Sequence, residues 1–313
     1  MVRSPDARRL LPRRVSGYSR GRTEGVFGGT TLRRALAGML IGMDLTERTP
    51  ARATSGTTWP RAAAAWWRAA HPGERLSCAV GVLLIVSGLF HLLVFAVDGG
   101  PWTGPVSWRK PVTFGLSFGL TLIATAWVTS YLRMSARTRA VLLVLFAADC
   151  VLEVGGITLQ AWRGVPSHLN MESALNSTVS MALAVGGGLL VVLLSAFAVI
   201  SFRRRPQGPA GMPLALRAGF AILLVGLASG AAMIARGVTL TKTGHQADAY
   251  ASTAFLKPLH GVSLHAVLVL PALAWLLTFT PWGERTRLRI VQGAVGCYLV
   301  AVLAAGAWGV VTY

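Results

Sequence analysis

After some seventy-five residues with no sustained period, the chain falls into seven apolar blocks separated by short polar connectors. They are Leu76–Val97, Pro111–Leu132, Arg139–Trp162, Thr178–Ser201, Leu214–Ala235, Pro258–Phe279 and Leu288–Val310. Crossing ~30 Å of hydrocarbon takes about 20 residues of helix, and every block is long enough. The pattern predicts an all-α integral membrane protein with seven transmembrane helices, spanning residues 76–313.

Residues 1–75 carry 14 Arg and five acids among scattered Gly, Pro, Ser and Thr, which reads as a basic, disordered tail. Within it, Ala35–Met43 is apolar but too short to span, and no cleavage site marks a signal peptide. Met39 and Met43 offer alternative translation starts. Arg61–Ala70 is expected to lie as a short helix at the membrane surface, with Trp66 and Trp67 at headgroup depth.

Composition agrees: 53% apolar residues, 13% charged residues and a mean hydropathy of +0.57 exclude a soluble globule. A net charge of +19 would point to nucleic acid in a soluble protein. Here the charge flanks apolar spans, so the expected partner is the lipid bilayer, with no nucleic acid. Positive residues sort unequally between the two faces. Thirteen lie on the tail's side (Arg61, Arg68, Arg75, Arg217 and the clusters around Arg133, Arg203 and Arg285) and six opposite (Arg109, Lys110, Arg163, Arg236, Lys242 and Lys257). That excess predicts a cytoplasmic N-terminus, an external C-terminus and the plasma membrane as location. Arg outnumbers Lys 27 to 3, as in proteins encoded by G+C-rich bacterial genomes. Cys78, Cys150 and Cys297 fall in separate spans with no C-x-x-C spacing, so neither a disulfide nor a thiolate zinc site is indicated.

Candidate chemistry begins with Asp149 and Glu153, four residues apart in the third block and so on one helical face. A charge at mid-bilayer costs about 2.5–3.5 kcal/mol, so such acids face a bundle interior and pair with something. At 1.5 Å per residue, His91 lies about 9 Å, His265 about 10 Å and Glu153 about 12 Å below the outer ends of their spans, with Asp149 at about 18 Å. Above this layer come His260, Lys257, Lys110, Arg109, Gln160, Arg163 and His168. If the first, third and sixth spans adjoin, these residues form an outward-facing pocket with a carboxylate floor and a positive rim suited to an anionic solute or headgroup.

Each residue also has a simpler reading. His91 can bond a helix carbonyl or Ser87, the acids can serve packing, Arg109 and Lys110 can snorkel, and Trp102, Trp108, Trp162 and Trp282 can form an aromatic belt.

Three chemistries fit the constellation. Carboxyl and imidazole groups can relay protons and couple them to binding or transport of a small solute or ion. His91, His265 and Glu153 form an N,N,O set suited to zinc, which would make the protein a hydrolase. Ser87-x-x-x-His91 is similar to an element of zinc-dependent seven-helix hydrolases, although His260 and His265 lie about 140° apart around their helix and do not pair on one ion. Haem held between His91 and His265 is the third. A non-catalytic membrane component is the remaining alternative.

Three segments together, SWRKPVTFGLS (107–117), LEVGGITLQAWRGVPSHLN (152–170) and LKPLHGVSLHAVLVLPALAWL (256–276), carry a resemblance. They contain a Trp-x-Lys-Pro helix entry (Trp108, Lys110, Pro111) and a Gln-x-x-Arg-Gly-x-x-Ser-His-x-Asn loop (Gln160, Arg163, Gly164, Ser167, His168, Asn170). The third element is a His-x4-His helix (His260, His265) followed by Leu-Pro. In these elements the chain, over about residues 85–282, resembles a family of uncharacterised bacterial multi-pass membrane proteins. The resemblance implies an integral protein of the cell envelope and brings no activity with it. Lys110-Pro111 and Lys257-Pro258 open two spans at the same face, as parallel repeats in a 3+1+3 arrangement would.

Overall fold

The computed structural model describes residues 58–245, 248–249 and 254–312. The basic tail up to residue 57, with Ala35–Met43 and the alternative starts, lies outside the described residues. Described regular structure is all helical. A surface helix α1 (Trp59–Ala69) precedes α2 (Pro72–Asp98), α3 (Arg109–Thr129), α4 (Ala136–Trp162), α5 (Ala174–Arg203) and α6 (Met212–Lys242). The sixth span, Ala254–Phe279, is split into α7 (Lys257–Leu264) and α8 (Ala266–Leu276) between two short 3-10 turns, and α9 (Glu284–Thr312) closes the order. Seven described helical segments are long and apolar enough to cross a membrane. The protein is therefore a multi-pass integral membrane protein.

Local chemistry sets the helix starts. Pro60 and Pro72 occupy first-turn positions, where a missing N–H costs nothing. At α2 the Glu74 carboxylate reaches back to accept the His71 N–H at 2.8 Å. Ser135 and Ser173 accept the N–H groups of Thr138 and Asn176 and so start α4 and α5. Arginines serve several helix ends. Arg139 donates to the Leu132 carbonyl just beyond α3, Arg217 to those of Ser201 and Phe202 at the end of α5, and Arg287 to that of Thr280 after α8. The charge excess used for orientation thus doubles as a set of C-terminal caps.

Trp59–Ala69 is helical, in agreement with the short helix expected over Arg61–Ala70. Glu74, placed in the tail by sequence, is only 3% exposed and lies 3.7 Å from Arg139 of α4. Arg139, counted above as a loop cation, is a buried ion-pair partner that ties α2 to α4.

Glycine spacing places α2 against α3. A methyl at Gly115 would lie 2.8 Å from the Gly88 Cα and from the Leu84 carbonyl, and Gly119 abuts the Gly81 carbonyl. α6 makes a similar approach to the sixth span, where Gly219 faces Val267 and Gly226 faces Ser263. Half of the most apolar stretch of α3 and of α4 is buried, against 22% in α2 and 17% in α9. The second and third spans are therefore core, and the first and last are peripheral.

The expected contact among the first, third and sixth spans is revised. α4 packs mainly on α2, α3 and α5, whereas α7 and α8 pack on α6 and α9, with α8 also against α3. The sixth span splits at His265, whose N–H turns to the Val262 carbonyl at 3.4 Å while its imidazole bonds the Gly261 carbonyl at 2.7 Å.

Candidate functional site

A cavity of about 470 Å³ lies among α3, α4, α5, α6 and α7. Its walls are Phe114, Ser117, Phe118 and Thr121 of α3, Phe146 of α4, Leu264 of α7, and chiefly Leu, Val, Ala and Gly residues of α5 and α6. Three titratable side chains line it: Glu153 from α4, His260 from α7, and His168 from the loop after α4. Its exposed lining residues are Ala184 and Gly188 on α5 and Ala231, Ile234 and Ala235 on α6, so it opens between these two helices.

Glu153 is 3% exposed and Asp149 4%, and Glu153 Oε1 and Asp149 Oδ2 have no hydrogen-bond partner. Both carboxyls press toward Gly186 of α5. A methyl there would stand 2.6 Å from Glu153 Oε1 and 3.0 Å from Asp149 Oδ1. The absent Cβ makes the notch that admits two acids from consecutive turns. Asp149 sits behind Glu153 and outside the cavity lining.

His260 reaches the cavity from the first turns of α7. Its Nδ1 lies 2.8 Å from the Gly226 carbonyl, and its ring rests over Gly230, where a methyl would come within 2.8 Å. His168 is delivered by a closely bonded loop. Ser180 of α5 accepts the Asn170 N–H and donates to the Ser167 and Asn170 carbonyls; the Ser167 hydroxyl pairs with His168 Nδ1 at 2.9 Å. Leu169 holds a positive φ of 60° and packs against Gly237 of α6. Burial, with the Lys110 ammonium nearby, pushes the His168 imidazole down to about 4.

The other expected site residues lie elsewhere. His91 is fully engaged: Nδ1 bonds the Ser87 carbonyl at 2.7 Å, and Nε2 accepts the Trp162 indole N–H at 3.0 Å. Trp108 and Trp162 pack edge to face beside it, so these tryptophans form a cluster with His91 and are more than a membrane belt. Gln160 and Arg163 share the Asn176 amide oxygen, which closes the end of α4 onto α5. Lys110 donates to the Pro105 carbonyl and Arg109 to that of Trp102, so both hold the preceding loop. His265 bonds within its own helix.

Among the described residues no three His, Cys, Asp or Glu side chains converge as metal ligands. His91 is held by Trp162 and Ser87, and His265 by Gly261.

Asn176, Ser180 and Gly186 are the residues that sequence reasoning passed over. Their signal is a polar and small stripe along one face of an otherwise apolar α5, legible once α4 is known to be its neighbour. Comparisons with protein-family models, with curated proteins and with solved structures return no match.

Proposed function

We propose that the protein binds a small solute in the cavity beside Glu153 and carries it through the membrane, with Glu153 exchanging a proton or cation as the solute binds. One observation carries this reading: an acid 3% exposed, with an unpartnered oxygen, stands in the wall of a 470 Å³ cavity that two imidazoles also line. Gly187 bonds the carboxyl from the backbone, and burying the remaining unpaired oxygen costs about 1–3 kcal/mol that a bound proton or ligand would recover. Intramembrane acids beside cavities mark ion and proton pathways. Asp149, one turn deeper, is a second station for the proton.

The test uses proteoliposomes with an internal pH dye, challenged in turn with a cationic, a neutral and an anionic organic solute. Wild-type protein is expected to change the internal pH with at least one class, and Glu153→Gln to abolish that change. No response to any class, or the same response in Glu153→Gln, refutes the reading.

The charge asymmetry supports a cytoplasmic N-terminus in a bacterial plasma membrane. A C-terminal reporter active only outside the cell is expected to be active; an inactive one, with the same reporter active at the N-terminus, reverses the orientation.

A further inference from the structure

We propose that the ligand is a membrane-partitioned organic ammonium: a protonated amine on an apolar, preferably aromatic, body. This class rests on the cavity being a binding site and adds what the cavity selects. Ser117 and Thr121 line it with hydroxyls that can donate or accept, and two of its titratable groups offer free acceptor atoms. Glu153 supplies a carboxyl oxygen with no hydrogen-bond partner. The Gly226 carbonyl can only accept, so His260 carries its proton on Nδ1, and a neutral ring leaves Nε2 as an acceptor. No donor among the described residues reaches that nitrogen. A ligand that bonds both must bring hydrogen-bond donors, and a positive charge among them would be matched by the Glu153 carboxylate.

The remaining wall suits such a ligand. Phe114 and Phe118 are stacked with ring centroids 5.5 Å apart, and Phe146 lies on the neighbouring helix. Aromatic faces attract cations, more so when water is excluded. The cavity volume lies in the range of small-molecule sites. Access fits as well. The opening lies between α5 and α6 at Ala184, Gly188, Ala231 and Ile234, partway along two membrane-spanning helices. An amphipathic amine dissolved in the bilayer can enter there without passing the cations at Arg109, Lys110 and Lys257, none of which lines the cavity. Those cations gave the sequence its positive rim, but Arg109 and Lys110 are occupied with loop carbonyls.

The experiment measures binding of 4-phenylbutylamine, 4-phenylbutanol and 4-phenylbutyrate to the full chain in lipid nanodiscs. The three share one body and differ in the charge of the head. Wild-type protein is expected to bind the amine about tenfold more tightly than the alcohol and to bind the acid least. Glu153→Gln should remove that preference while leaving alcohol binding in place, which also shows that the variant is folded. Phe118→Leu should narrow the preference without touching the carboxyl. Ala231→Trp, which fills the opening, should block amine and alcohol alike. Equal binding of amine and alcohol that Ala231→Trp abolishes overturns the ammonium class and leaves the cavity as a binding site. Tighter binding of the acid overturns the class in favour of an anion. If none of the three binds, or if Ala231→Trp changes nothing, the ammonium class and the binding-site reading fall together.

Discussion

Glu153 and Asp149 show how one missing side chain decides a site. Two acids a turn apart would normally repel or seek partners, yet both fit against α5 because Gly186 leaves room. His91 and His265 look equivalent to Glu153 when only depth is counted. They differ because each imidazole takes the carbonyl four residues back in its own helix, at 2.7 Å, and His91 accepts the Trp162 N–H as well. The fate of a buried histidine turns on that local competition, which depth does not reveal. His168 makes a prediction at this scale. Its pKa is pushed down to about 4 from an ordinary 6.5, so the folded state holds fewer protons than the unfolded state between these values. Its contribution to stability is therefore full above pH 6.5 and is lost as pH falls toward 4. Melting temperature in detergent is expected to drop over that window, and His168→Asn to flatten the drop. An equal slope in both proteins would contradict the assigned environment.

At the scale of elements, all seven spans were legible from hydropathy because the membrane demands length and apolarity together. Boundaries extended by several residues at the ends of α5 and α6, where helix continues past the apolar block. The interruption at His265 was not legible, since nothing in the apolar pattern marks it and His91, with the same bond to the carbonyl four residues back, leaves α2 unbroken. Close packing of α2 on α3 rests on Gly115 and Gly119, whose four-residue spacing does not name a partner helix. Gly115 tests that packing. A methyl there meets backbone atoms at 2.8 Å, which cannot rotate away, so Gly115→Ala should destabilise the protein by about 1–3 kcal/mol. Gly293→Ala, with nothing within 4 Å, should be neutral or gain up to about 1 kcal/mol from helix propensity. Thermal unfolding of the two variants side by side checks both, and equal melting temperatures would show that α2 and α3 can separate at little cost.

For the whole molecule, the sequence located the layer of polar groups and missed which helices enclose it. Of the first, third and sixth spans, the third and sixth line the cavity through Phe146, Glu153, His260 and Leu264, the first does not, and α3, α5 and α6 supply the rest of its walls. Pairing of spans is set by where glycines let backbones approach and where an arginine finds a buried acid, as Arg139 finds Glu74. Neither partner can be read from one chain's hydropathy. Of the eleven residues proposed for the pocket, Glu153, His168 and His260 line it and Asp149 backs it, while His91, Arg109, Lys110, Gln160 and Arg163 brace the helices and loops around it. The account therefore stands on Glu153 being a reactive acid that is reached through the opening between α5 and α6. Treatment of the membrane-embedded protein with a hydrophobic carbodiimide, followed by peptide mass spectrometry, reads this directly. An adduct on Glu153 that Ala231→Trp prevents is the predicted result; an unmodified Glu153, or an adduct that forms equally in Ala231→Trp, would contradict it.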